Sequence, residues 1–199
     1  MRFLRLSSLL LLAACATPKI QQQQNLPCKN PVSFNWDTTL YYKASISVMG
    51  NNLSGLIIFN KQNDSTFRLI MTTDVGPKLI DMELTPKGYT KNFVIEQLDR
   101  KALLHMFWED FGTTLGLFAR NKAGFYNSEL DACCFPISSR FTTCYTSPGS
   151  QTFPEKAYFF ERDKKKTTIS YFYKFGQQPD SISIEHLSFN MSYILRKFD

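Results

Sequence analysis

From Leu40 onward the side chains alternate between apolar and polar over most of the chain, and no other feature limits the fold so sharply. A period of two puts one set of side chains on one face of a strand and the other set behind it. Tyr42, Ala44, Ile46 and Val48 share a face, with Lys43, Ser45 and Ser47 opposite. Gly50-Asn51-Asn52 is a turn, and residues 53–59 return as a second strand. Asn63-Asp64 turns the chain into residues 65–73, where Phe67, Leu69 and Met71 lie on one side and Arg68 on the other. After Asp74-Val75-Gly76-Pro77, residues 78–85 set Ile80, Met82 and Leu84 opposite Asp81 and Glu83. Pro86-Lys87-Gly88 then opens residues 89–96. Five strands on short loops predict an antiparallel meander.

The period then switches. Residues 97–118 contain no proline and no glycine before Gly112, and Leu103, Phe107 and Phe111 recur at helical spacing. Leu104, Met106, Trp108, Leu115 and Phe118 widen the stripe, so this helix must be covered on most sides. The concave face of the meander is the cover at hand. Residues 120–155 hold three cysteines and three prolines and read as irregular. Residues 156–162, 167–175, 181–187 and 190–197 read as further strands, with Asp163-Lys164-Lys165-Lys166 as a charged turn. The expected fold is mainly β (α+β): a strongly curved antiparallel sheet of eight or nine strands, with a plug helix on its concave face.

The first residues are of another kind. Arg2 and Arg5 precede an apolar run over residues 6–12, too short for the ~20 apolar residues of a spanning helix, so residues 1–14 read as a signal peptide. Leu12-Ala13-Ala14-Cys15 resembles the bacterial lipobox, which implies that cleavage leaves Cys15 first and that its thiol takes up lipid. Residues 15–35 are polar and proline-punctuated and read as a lipid-anchored flexible tether, with 36–199 as a single domain. Four cysteines remain in an exported chain: Cys28, Cys133, Cys134 and Cys144. A vicinal Cys133–Cys134 bridge is strained, which leaves two pairings. Each ties Cys28 to the 133/134 pair and closes a short loop to Cys144. The spacing does not suit paired zinc ligands, so neither a metal nor a cofactor is expected.

Charge and motifs exclude more than they assign. Without Arg2 and Arg5 the chain carries 21 basic and 17 acidic side chains, a surface charge with no nucleic-acid footprint. His105 and His186 are the only histidines, and no nucleophile elbow, phosphate loop or dinucleotide fingerprint is present. Asp81/Glu83 and Glu109/Asp110 are carboxylate pairs; Asp81 and Glu83 share one face of a strand and are surface charge if that face is solvated. An enzyme is not expected; one would need His105 or His186 to meet carboxylates in an open cleft. What remains is an apolar surplus, 43% of the residues. It either fills the interior or encloses a cavity suited to acyl chains, and adaptable methionines serve both. The expected lining is Leu69, Met71, Ile80, Met82, Leu84, Phe93, Leu103, Phe107 and Phe111.

The order of these strands resembles the opening half of the LolA/LolB-like family, the carriers and receptors that move lipoproteins. The likeness runs through Lys43-Ala44-Ser45-Ile46-Ser47-Val48, then Ser54-Gly55-Leu56-Ile57-Ile58-Phe59, Phe67-Arg68-Leu69-Ile70-Met71 and Leu79-Ile80-Asp81-Met82-Glu83-Leu84. The resemblance implies a half-open antiparallel barrel whose cavity binds acyl chains. It also implies a membrane- or cargo-contact loop, which corresponds here to Val75, Gly76 and Pro77. On this reading the chain is a monomer at the bacterial outer membrane, facing the periplasm. Its partners are acyl chains or lipoprotein cargo, together with a soluble periplasmic carrier. The alternative is a scaffold or binding lipoprotein of the envelope with a filled barrel.

Overall fold

A computed structural model describes residues 28, 39–48, 50–146, 153–174 and 178–198. The signal peptide at 1–14, Cys15, and the tether apart from Cys28 lie outside the described residues. Five strands come first: β1 (Leu40–Val48), β2 (Asn51–Asn63), β3 (Thr66–Thr73), β4 (Lys78–Thr85) and β5 (Gly88–Val94). A 3-10 turn (Glu96–Leu98) leads into helix α1 (Lys101–Thr114). Seven strands follow: β6 (Phe125–Asn127), β7 (Ala132–Pro136), β8 (Phe141–Thr146), β9 (Lys156–Glu161), β10 (Lys164–Phe172), β11 (Ser181–His186) and β12 (Met191–Lys197).

All twelve form one antiparallel sheet in the order β5-β4-β3-β2-β1-β12-β11-β10-β9-β8-β7-β6. The chain enters at mid-sheet, meanders out to one edge at β5, reappears at the other edge as β6, and meanders back until β12 pairs with β1. The two edges are therefore consecutive in sequence, and the segment between them has to cross a face of the sheet. That segment contains α1. Laid flat, twelve strands would span about 50 Å. Yet residues of β2, β4, β8, β10 and β12 all touch the one helix. Phe111 packs against Phe59 and Tyr193, with ring centroids 5.5 and 5.8 Å away. The Tyr145 and Tyr171 hydroxyls donate to the carbonyls of Thr113 and Thr114, and Trp108 Nε1 donates to the Thr85 carbonyl. Only a strongly curved sheet can do this, with α1 on its concave face.

These bonds also explain why the helix is held unevenly. The last carbonyls of a helix lack partners within it, and two tyrosines supply them here. From Phe107 to Ala119 every residue except Glu109 is buried. At the other end Arg100 offers no side-chain cap, and Lys101, Ala102 and His105 are exposed.

The second half corrects two expectations. Residues 120–155 are not irregular but contain β6, β7 and β8. The lysine run is not a turn; Arg162 and Asp163 turn, with Arg162 at φ 56°, and Lys164-Lys165-Lys166 opens β10. The cysteines adopt one of the two open pairings, Cys28–Cys133 and Cys134–Cys144. Cys28 also forms an antiparallel bridge with Gly124, beside edge strand β6.

Candidate functional site

An apolar cavity of about 120 Å³ lies between the loosely held end of α1 and strands β1–β4. Of its fourteen lining residues only Ser54 and Thr72 carry a polar side chain. Ala44, Ile46 and Ile57 form one wall, Leu98, Leu103 and Phe107 the other. Gly55 sets the width at the β2–β3 pairing: a Cβ there would stand 2.0 Å from the Thr72 carbonyl oxygen, so only glycine lets the strands approach this closely. The cavity is a small fraction of the interior, most of which is a close-packed cluster joining α1 to both halves of the sheet.

Of the residues expected to line it, Met71, Leu103 and Phe107 do. Leu69, Ile80, Met82, Leu84 and Phe111 are buried in the packed cluster instead. Phe93 is 45% exposed, opposite Asp81 in the β4–β5 pairing, and so stands on the outer face. An irregularity in that pairing between Asp81 and Met82 carries it there. The walls given by β1 and β2 escaped sequence reasoning; their one signal was a glycine inside an otherwise apolar strand.

Val75 stands at the tip of the β3–β4 turn, 89% exposed, between Asp74 and Gly76, the latter at φ 108°. The turn is closed by the Thr73 N–H donating to the Pro77 carbonyl at 2.9 Å. Nearby, Asp81 is buried on the outer face rather than solvated. Arg68 binds both its oxygens at 2.9 and 2.8 Å, and Lys78 Nζ lies 2.7 Å away. The Arg68 guanidinium holds the Asp81 carboxyl well below the usual range, with Lys78 and Asn92 adding to the effect against the cost of burial.

Beside the cavity, across Leu103 and Met191, opens a mixed polar and apolar cleft of about 390 Å³. It brings together the two histidines, 81 positions apart in the chain. His186 Nε2 lies 2.9 Å from Asp110 Oδ2, and His105 Nε2 lies 3.3 Å from Glu109 Oε1. Burial pushes the Asp110 carboxyl up, while hydrogen bonds from His186, Tyr193 and Thr167 restrain it. Burial also lifts Glu109 to about 7, with Asp110 and Glu161 adding repulsion.

Thr167 completes a Thr–His–Asp chain, its hydroxyl oxygen 3.5 Å from both His186 Nδ1 and Asp110 Oδ1. Thr167 is only 2% exposed, and a nucleophile must be reachable by its substrate. The chain of bonds fastens α1 to β10 and β11. Lys166, Ser188 and Phe189 complete the cleft; the sequence marks Lys166 as part of a charged run, but neither Ser188 nor Phe189.

No family model and no curated protein matches the chain. Among solved structures it is similar to a LolA superfamily protein from Nitrosomonas europaea, with a TM-score of 0.56 and 9% identity over 85% of this chain and 88% of that one. A DUF1329 family protein from Desulfovibrio piger matches with a TM-score of 0.45 and 8% identity over 82% of this chain and 86% of that one. An outer membrane lipoprotein-sorting protein domain from Vibrio parahaemolyticus gives 0.45 and 9% identity over 83% and 85%. The fold is LolA-like. Among the described residues no helix is long and apolar enough to cross a membrane.

Proposed function

We propose that this protein binds an acyl chain in the cavity under the N-terminal half of α1. We further propose that it does so as a Cys15-anchored lipoprotein of the outer membrane, facing the periplasm and taking part in lipoprotein or lipid transfer. The observation that carries the reading is the cavity lining, with two polar side chains among fourteen residues. An apolar space of this kind stays dry and accepts hydrocarbon. A cavity of roughly 150 Å³ takes a benzene-sized guest, so about 120 Å³ admits one chain end, not a three-chain anchor. A longer guest requires the uncapped end of α1 to move away from β1 and β2, while the tyrosine bonds keep its C-terminal end fixed. The LolA-like fold supports the same reading.

A fluorescent fatty acid tests it. The wild-type chain takes up the probe, and a competing unlabelled fatty acid displaces it. Leu103→Trp fills the cavity from the α1 side and lowers probe affinity at least about tenfold, a loss of about 1.4 kcal/mol, without lowering the unfolding midpoint. Failure of the wild type to take up any acyl probe would favour the scaffold reading. Val75 is the proposed contact with membrane or cargo. Val75→Glu, at a side chain that touches almost nothing, leaves unfolding unchanged and slows lipoprotein transfer from a soluble carrier to membranes. Unchanged transfer by that variant removes the loop from the mechanism.

A further inference from the structure

We infer that the cleft beside the cavity is a head-group site for a single-chain acyl carboxylate, whose tail enters the cavity past Leu103 and Met191. The inference rests on the reading of the cavity as an acyl-chain site and adds the chemistry of the polar end. Leu103 and Met191 line both spaces, so nothing thicker than two flexible side chains divides them. One space is almost wholly apolar. The other carries Lys166, Ser188, His105 and Glu109 beside Met106 and Phe189. An amphiphile with one tail matches that division, and the small cavity leaves no room for a second tail.

The charges favour a single negative head. Lys166 is the one lysine or arginine among the described residues that line the cleft. Its Nζ lies 3.2 Å from Glu161 Oε2, but Arg140 Nε also donates to Glu161, at 2.7 Å to Oε1, so Glu161 keeps a partner if Lys166 turns toward a ligand. Ser188 adds a hydroxyl donor. The groups facing Glu109 are His105 and Asp110 on α1, Glu161 on β9, Lys166 on β10 and His186 on β11. Burial, with Lys101 and Arg140 adding repulsion, holds His105 below its ordinary value and so disfavours its cationic form. Glu109, lifted to about 7, is protonated on the acid side and can donate to a bound carboxylate; once ionised it repels one.

Decanoate and 1-decanol, each displacing a fluorescent anilinonaphthalene probe from the full chain, test the inference. Decanoate stays ionised between pH 6 and pH 8.5, so a change in its affinity over that range reports the protein. Decanoate is expected to bind about tenfold more tightly at pH 6 than at pH 8.5, with decanol unchanged. Glu109→Gln should bring that ratio below about threefold. Lys166→Met should weaken decanoate about tenfold and leave decanol as it was, which also shows that the variant is folded. If both probes bind with no dependence on pH or on Lys166, the head-group site is overturned and the acyl cavity stands. If neither binds, the cavity reading itself has failed.

Discussion

Replacing Cys28 and Cys133 together with alanine is expected to cost about 4–5 kcal/mol of unfolding free energy, the largest loss from removing any single covalent link in the fold. The reason is length. This bridge spans 105 residues of sequence, enclosing β1 to β6 and α1, whereas Cys134–Cys144 spans 10. Loop-closure entropy grows with the logarithm of the enclosed chain, so the shorter bridge is worth about 2–3 kcal/mol by the same reckoning. Cys134 and Cys144 are moreover direct partners in the β7–β8 pairing, which the backbone holds whether or not the sulfurs are joined. Urea unfolding of the two double variants gives the comparison. The account is wrong if the alanine pair at 134 and 144 proves the more damaging.

His186→Ala is expected to cost about 3–5 kcal/mol near pH 8, because it strips the main partner from a buried carboxyl. The loss depends on pH with a definite sign. Burial already raises Asp110 in the folded state above its value in the unfolded chain. A raised carboxyl contributes stability that is complete below the unfolded value, near pH 4, and lost as pH climbs through the folded one. Removing His186 raises Asp110 further, so the variant should approach wild type at pH 4 and fall progressively behind toward pH 8. Adding Asp110→Asn removes the charge and should recover part of the loss at pH 8. A deficit of constant size from pH 4 to pH 8 would mean that the carboxyl is not its source.

Much of this architecture was legible in the residues, and the reasons differ from element to element. The meander from β1 to β5 could be read because its outer face is wet: Lys43, Ser45 and Arg68 keep the alternation visible between glycine- and asparagine-bearing turns. Strands β6 to β8 could not, because that part of the sheet is covered on both sides. Thr143, Cys144 and Tyr145 are buried in succession, with Cys144 in a second small cluster with Ala132, Cys134 and Phe160, and Tyr145 in the main core. Burial on both faces erases a period of two. The same limit applies to the site. Apolar identity marked Met71, Leu103 and Phe107 as interior, but whether an interior residue faces a void or a neighbour depends on the height of α1 above the strands. No local pattern encodes that height. The cleft was harder still, since His105, Lys166 and His186 come from three elements that only the folded sheet brings side by side.

The bond from Cys28 to Cys133 also determines where a mechanical load enters the molecule. Should Cys15 carry the proposed lipid, only about 13 residues separate it from the crosslink, a leash of at most about 45 Å. A tug from the bilayer then arrives at β7, one strand in from the sheet margin, and bypasses β1 at the centre, where the chain's two halves join. The seam between β1 and β12 is thereby shielded from tension, and the strands that flank the cavity do not bear the strain of tethering.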